Sequence, residues 1–154
     1  MIKVYLDNCV YNRPFDNQSD ERIFIEARAF YIIIKWIEEG RIASINSDAL
    51  EYENSLTSEP GRRMRVKTYL GIAKEYVKLS DSLIKRANEI MSLGIRDMDG
   101  FHVAMAEEGK ADYFVTCDDG IISKAKKFQE TFKIKVCSVL EFLEEVVRYV
   151  EANK

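Results

Sequence analysis

The stretch Ile2-Lys3-Val4-Tyr5-Leu6-Asp7 opens the chain with a short apolar run that stops on a carboxylate. Four β-branched, aromatic and aliphatic positions in a run of five predict a buried strand, with Asp7 directly beyond its end. The pattern returns at Ile42-Ala43-Ser44-Ile45, Tyr76-Val77-Lys78-Leu79, Tyr113-Phe114-Val115-Thr116 and Ile134-Lys135-Val136-Cys137. Between these runs the apolar spacing becomes helical. Ile23, Ala27, Phe30, Ile34 and Ile37 share one helical face, entered through Ser19 or Asp20 and closed by Gly40 as the residue after the helix. Strands alternating with helices imply right-handed βαβ units, hence an α/β fold with a mostly parallel sheet.

The remaining segments fill in around that frame. Residues 7–18 are polar, contain Asn12-Arg13-Pro14 and read as a loop. Asp48 opens a short helix, with Glu51 three residues on in the D-x-x-E form of a capping box. Glu59-Pro60-Gly61 breaks the chain before a helix running to about residue 74, with Arg62, Arg63, Arg65 and Lys67 on a basic face. Asp81 caps another helix that ends near Gly94, and a further one runs from near Asp99 to Gly109. Residues 121–128 and 139–150 are the last two helices.

At 154 residues the chain is expected to form a single domain over residues 1–154. Its 47% hydrophobic and 32% charged shares fit a chain that buries a core, and seven glycines with two prolines exclude a collagenous or disordered one. No apolar run approaches the ~18 residues that span a bilayer. The first apolar run meets Asp7 too soon for a signal peptide, so a cytoplasmic location is expected. With a net charge of −3, binding of nucleic acid needs a local basic patch or a bridging cation. Three widely spaced cysteines and one histidine give neither a disulfide framework nor a structural zinc site.

Four acids fall just beyond strands or near helix starts on one side of this layout. They are Asp7 after the first strand, Glu53 in the helix after the second, Asp99 before the fourth, and Asp118 after it. In a parallel sheet the carboxyl ends of the strands form the binding crevice. Four carboxylates there repel one another unless a cation sits among them, and oxygen ligands suit Mg²⁺ or Mn²⁺. Such an ion activates water and stabilises the leaving oxygen of a phosphodiester. An Asp in these positions is often only a helix cap, but capping does not explain Asp7 directly after an apolar strand.

Residues 2–7, the helix start Asp99-Gly100-Phe101-His102-Val103-Ala104-Met105-Ala106 and the strand Ala111-Asp112-Tyr113-Phe114-Val115-Thr116-Cys117-Asp118 together resemble the PIN-domain family. The second stretch is similar to that family's D-A-L-H-x-A-x-A helix and the third to its A-D-x-F-x-T-x-D strand. The resemblance spans nearly the whole chain. It implies a three-layer α/β/α fold with a five-stranded sheet in the order 3-2-1-4-5. It also implies a metal-dependent ribonuclease acting on single-stranded RNA, most often a VapC-type toxin with a separate antitoxin protein. Carried over residue by residue, Asp7, Asp99 and Asp118 would hold the metal.

The mid-chain acid is ambiguous between Glu51 and Glu53. The two lie about 200° apart around a helix, so both cannot face the site. Glu51 has a job in the capping box and Glu53 has none; the family's spacing from the preceding strand also favours Glu53, which is taken as the fourth acid. Asn8 stands where the family usually has Ser or Thr, and its amide can still orient a water. Thr116 is expected to hold the Asp118 loop or the water. Asp119 is a supporting group or a plain cap, since the family's further acid falls where this chain has Gly120. Asp97 reads as a loop carboxylate.

His102 reads as structural, and Cys9 and Cys117 as small buried packing residues. Arg13 is placed to meet a phosphate or to form a loop salt bridge, and the run Arg62, Arg63, Arg65, Lys67 is either an RNA-backbone patch or a solvated face. The wide apolar run Phe30-Tyr31-Ile32-Ile33-Ile34 suits a homodimer or antitoxin contact, or burial on both sides. Two other functions compete. A catalytically degenerate PIN domain would only bind RNA or protein. A receiver-like phospho-acceptor needs adjacent acids after the first strand, and Asp7-Asn8 fails that condition.

Overall fold

The computed structural model describes residues 1–153; Lys154, the last residue of the expected domain, lies outside the described residues. In chain order the elements are β1 (Lys3–Leu6), α1 (Asn8–Asn12), a 3₁₀ turn (Arg13–Phe15), α2 (Glu21–Glu38), β2 (Ala43–Ser47), α3 (Asp48–Ser55) and α4 (Pro60–Leu70). Then follow β3 (Glu75–Val77), α5 (Asp81–Met91), α6 (Met98–Glu108), β4 (Tyr113–Thr116), α7 (Asp119–Lys127), β5 (Lys135–Ser138) and α8 (Val139–Ala152).

The five strands form one sheet in the order β3-β2-β1-β4-β5, flanked by helices. It is wholly parallel, not mostly so, with Val4 level with Ser44 on one side and with Tyr113 on the other. Parallel neighbours need long crossovers, and the helices supply them. Val4, Tyr5 and Leu6 are fully buried, as a central strand covered on both faces must be. The chain winds outward from β1 to β3, then returns to the other side of β1 to lay down β4 and β5. That reversal puts a crevice at the carboxyl ends of β1 and β4, where Asp7 and Asp118 stand.

Helix α2 begins where Asp20 accepts from the Ile23 N–H at 3.0 Å and ends before Gly40, whose φ of 73° is the left-handed geometry expected after a helix. Its run at 30–34 is not buried on both sides: Phe30, Ile33 and Ile34 enter the core, while Tyr31 and Ile32 stay exposed beside Phe24 and Ile25.

Several expected boundaries move, each for a local reason. Residues 7–18 are not a plain loop, because Asp7 caps α1 and buries Val10 and Tyr11 against the core. Asp48 is not the cap of α3; Ser47 is, accepting from the Leu50 N–H at 3.1 Å. The Asp48 carboxylate instead takes the Tyr76 hydroxyl at 2.5 Å and the Leu79 N–H at 2.7 Å. Ser80 likewise displaces Asp81 as the cap of α5. Glu59-Pro60-Gly61 starts α4 instead of breaking the chain, with Glu59 accepting from the Gly61 and Arg62 N–H groups and Pro60 as the first helical residue. Helix α4 ends at Leu70, short of residue 74.

Gly100 of α6 packs tightly against the end of α5 and the loop that follows it. A methyl group there would come within 2.6 Å of Met91 Cγ and 3.1 Å of the Ile95 carbonyl oxygen. This explains a glycine where the resembled helix motif has alanine.

Candidate metal centre

Asp7, Glu53, Asp99 and Asp118 all line one cavity of about 310 Å³, together with Asn8, Cys9, Arg13 and Cys117. Larger clefts of about 620 and 640 Å³ elsewhere each pair two acids with several lysines and gather no such group.

Each acid is held differently. Asp7, 4% exposed, accepts from the Asn8 N–H at 2.8 Å and from the Thr116 hydroxyl at 2.8 Å, with the Cys9 thiol at 3.5 Å. It is the cap of α1, so capping does account for part of its placement, against the sequence argument. Asp118 caps α7 through Oδ1, which accepts from the Gly120 and Ile121 N–H groups. Thr116 reaches both loops, since its hydroxyl oxygen also accepts from the Asp118 N–H at 3.1 Å. Asp99, in the first turn of α6, and Glu53, inside α3, cap nothing.

Glu53 is gripped from both sides. Its Oε2 accepts from the Asn8 amide at 3.2 Å and its Oε1 bonds to His102 Nε2. The fully buried His102 continues inward, with Nδ1 2.7 Å from the Tyr5 hydroxyl, which lies 2.6 Å from Ser47 Oγ. His102 is thus more than core filling, a role its position in an apolar helix did not reveal. Glu51, two residues away, faces elsewhere: it accepts from the Asn46 amide at 2.8 Å and from Lys67 at 3.3 Å.

The donor set fits a cation. Single ligand atoms of Asp7, Glu53 and His102 lie within 4.8 Å of one another, whereas Asp99 and Asp118 line the same cavity outside that close group. Burial, and then the neighbouring Asp7, Asp118 and Glu53 charges, push the Asp99 carboxyl up to about 6, with His102 opposing. Burial is the largest cause of that rise, and the crowding of like charge adds to it. Carboxylate oxygens suit a hard divalent ion, while the His102 imidazole has both nitrogens engaged and holds Glu53. Cys9 does not compete as a thiolate: the Cys117 side chain, burial and the Asp7 charge all hold its thiol protonated.

The other expected residues divide. Asn8 and Thr116 touch the acids. Asp119 does not reach the cavity; it forms an exposed ion pair with Arg22, which lowers its carboxyl below the usual range. Arg13 lines the cavity and is also salt-bridged to Asp16 and Glu26. Arg62 bonds Asn12 and Asp16, and Arg63 bonds the Thr57 carbonyl, so half of the basic run is structural. Arg65 is exposed. Glu26 and Arg22 were missed altogether. An acid in a helical apolar stretch carries no signal in the sequence until its partner thirteen residues earlier is known.

No protein-family model matches the chain, and no curated protein matches it. Among solved structures the chain is similar to the crystal structure of VapBC2 from Rickettsia felis bound to a DNA fragment from their promoter. The TM-score is 0.58 at 12% identity, covering 89% of this chain and 98% of that one. The likeness is one of fold, and the all-parallel 3-2-1-4-5 sheet with its flanking helices is PIN-like.

Proposed function

We propose that the chain is a metal-dependent endoribonuclease that hydrolyses single-stranded RNA, a VapC-like toxin with a separate antitoxin protein. The observation that carries this reading is the gathering of Asp7, Glu53, Asp99 and Asp118 around one cavity at the switch point of a parallel sheet. The fold shared with VapBC2 supports the toxin type.

Asp7, Asp99 and Asp118 would hold Mg²⁺ or Mn²⁺, with Glu53 beside them. When bound, the ion supplies Lewis acidity, making water more acidic and offsetting charge on the phosphate. The chain's own groups do the positioning. Thr116 fixes the Asp7 carboxylate and the Asp118 loop at once. Glu53, pinned by His102 and Asn8, orients the attacking water and takes its proton. The 2′-hydroxyl route of metal-free ribonucleases needs an acid–base pair. The single histidine has both ring nitrogens engaged and no exposure, so hydrolysis leaving a 5′-phosphate and a 3′-hydroxyl is the outcome the site favours. Arg13, Arg65 and Lys67 are the cations left to meet the backbone.

No helix among the described residues is long and apolar enough to cross a membrane. The reading places the protein in the cytoplasm, with the exposed Phe24, Ile25, Tyr31 and Ile32 of α2 as the face for a second copy or the antitoxin.

The test is incubation of end-labelled RNA with the protein in Mg²⁺ or Mn²⁺, repeated with EDTA and with Asp7→Asn. Cleavage that stops in both controls and yields 5′-phosphate ends supports the reading. Products ending in 2′,3′-cyclic phosphate overturn the mechanism. Binding without cleavage of any RNA moves the chain to the degenerate binding-module class.

A further inference from the structure

Among the described residues, Arg13 is the one cation lining the acid cavity. Its guanidinium is held in place: Nε donates to Glu26 Oε1 at 3.0 Å and Nη1 to Asp16 Oδ2 at 3.2 Å. Arginine presents five N–H donors in a rigid plane, so these bonds fix the plane and leave donors uncommitted.

The anchor, Glu26, is only 2% exposed and sits on the buried face of α2. It also takes Arg22 Nε at 3.4 Å. Arg22 in turn donates to the Cys117 carbonyl at 3.1 Å and to both Asp119 oxygens. One buried carboxylate therefore holds an arginine at the mouth of the acid cavity and another on the loop that carries Asp118. Stability alone does not call for this arrangement, because a buried ion pair commonly does no better than well-packed apolar side chains. The network is also neutral as a whole, with Arg13, Arg22 and Arg62 matched by Asp16, Glu26 and Asp119. Its contribution is direction, not bulk attraction.

We propose that Glu26 is a positioning residue for the phosphodiester chemistry, fixing Arg13 so that its free N–H groups meet a non-bridging oxygen of the scissile phosphate, and fixing the Asp118 loop through Arg22. The inference rests on the nuclease reading. On that reading the four acids would hold a cation but offer an anionic phosphate no donor. Arg13 fills that gap with the planar fork that matches two phosphate oxygens. Such donors act most strongly where charge builds up in the transition state.

The experiment compares wild type with Arg13→Ala, Arg13→Lys, Glu26→Gln and Glu26→Asp on a short fluorescent RNA in Mn²⁺. Thermal melts and Mn²⁺ calorimetry are run on each. Arg13→Ala is expected to lower kcat about 100-fold with KM nearly unchanged. Added guanidinium ion should restore part of that rate, and Mn²⁺ should bind no more weakly than to wild type. Glu26→Gln is expected to lower kcat about tenfold, with Glu26→Asp closer to wild type. Wild-type kcat in Arg13→Ala, a rise in KM alone, or weakened Mn²⁺ binding by that variant overturns the proposal while leaving the nuclease reading intact. A wild type that cleaves no RNA overturns both.

Discussion

Glu53 and His102 share a hydrogen bond whose far side is entirely interior: the imidazole's other nitrogen meets Tyr5, and Tyr5 meets Ser47. A surface carboxylate is thereby tied to the middle of the sheet. Tyr5→Phe removes the hydroxyl on which this chain turns, leaving His102 Nδ1 unpaired in a dry interior and Ser47 with only the Leu50 N–H. The expected cost is about 1–3 kcal/mol, read as a lower urea midpoint at unchanged slope. RNA cleavage should fall with it, because Glu53 then rests on a looser imidazole.

Neutralising the acids one at a time separates Glu53 from Glu51. Asp7→Asn, Asp99→Asn and Asp118→Asn should each weaken Mn²⁺ binding by calorimetry and abolish cleavage. Glu53→Gln should abolish cleavage with the fold kept. Glu51→Gln removes only the contacts to Asn46 and the exposed Lys67, so activity should stay near wild type with a stability loss of at most about 1 kcal/mol. The reverse pattern would transfer the role to Glu51.

The acid cluster makes the metal-free protein acid-loving. Asp99 binds its proton up to about 6 in the folded chain, against 3.8 ordinarily, so the folded state carries the extra proton between those values. Stability then falls as pH rises through that window. His102 acts in the same sense. Burial lowers its proton affinity, but the bond to Glu53 and the charges of Asp7, Glu53 and Asp99 raise it above 6.5 on balance. Its contribution is present below that value and lost as pH rises through the folded one. In EDTA the melting temperature should be higher near pH 5 than near pH 7.5, and saturating Mn²⁺ should shrink the difference. A melting temperature that climbs over that interval in EDTA would contradict the charge balance described here.

Gly100→Ala tests the contact between α5 and α6. The added methyl meets Met91 and the Ile95 carbonyl, and backbone cannot yield as a side-chain tip does. A loss of about 1–3 kcal/mol is expected by chemical denaturation, and trimming the neighbour in Gly100→Ala/Met91→Ala should return less than the sum of the two single losses.

The central strands were legible because parallel strands covered on both faces are mostly apolar, and Tyr113-Phe114-Val115-Thr116 matches β4 residue for residue, whereas the short edge strand β3 runs Glu75–Val77 and not 76–79. Helix starts slipped by one residue at Ser47 and Ser80, since serine and aspartate are equally good caps and stand side by side. Helix α1 was hidden by its five-residue length and by Asp7, whose capping role shows only in three dimensions. In the site, the strand-end acids could be found from position alone. The supports could not: the Glu26–Arg13 pair, the Glu53–His102 bond and the turning of Asp119 toward Arg22 each depend on tertiary neighbours.

The strand order carries a consequence for how the chain is made. β1 leaves the ribosome first, and β2 and β3 can pair beside it early, but its other edge stays open until β4 is synthesised. Until then Asp7 has neither Thr116 to hold it nor Asp118 across from it. A nascent or truncated chain lacking residues 113–118 therefore has an incomplete acid centre, and the four carboxylates come together only when β4 drops in beside β1.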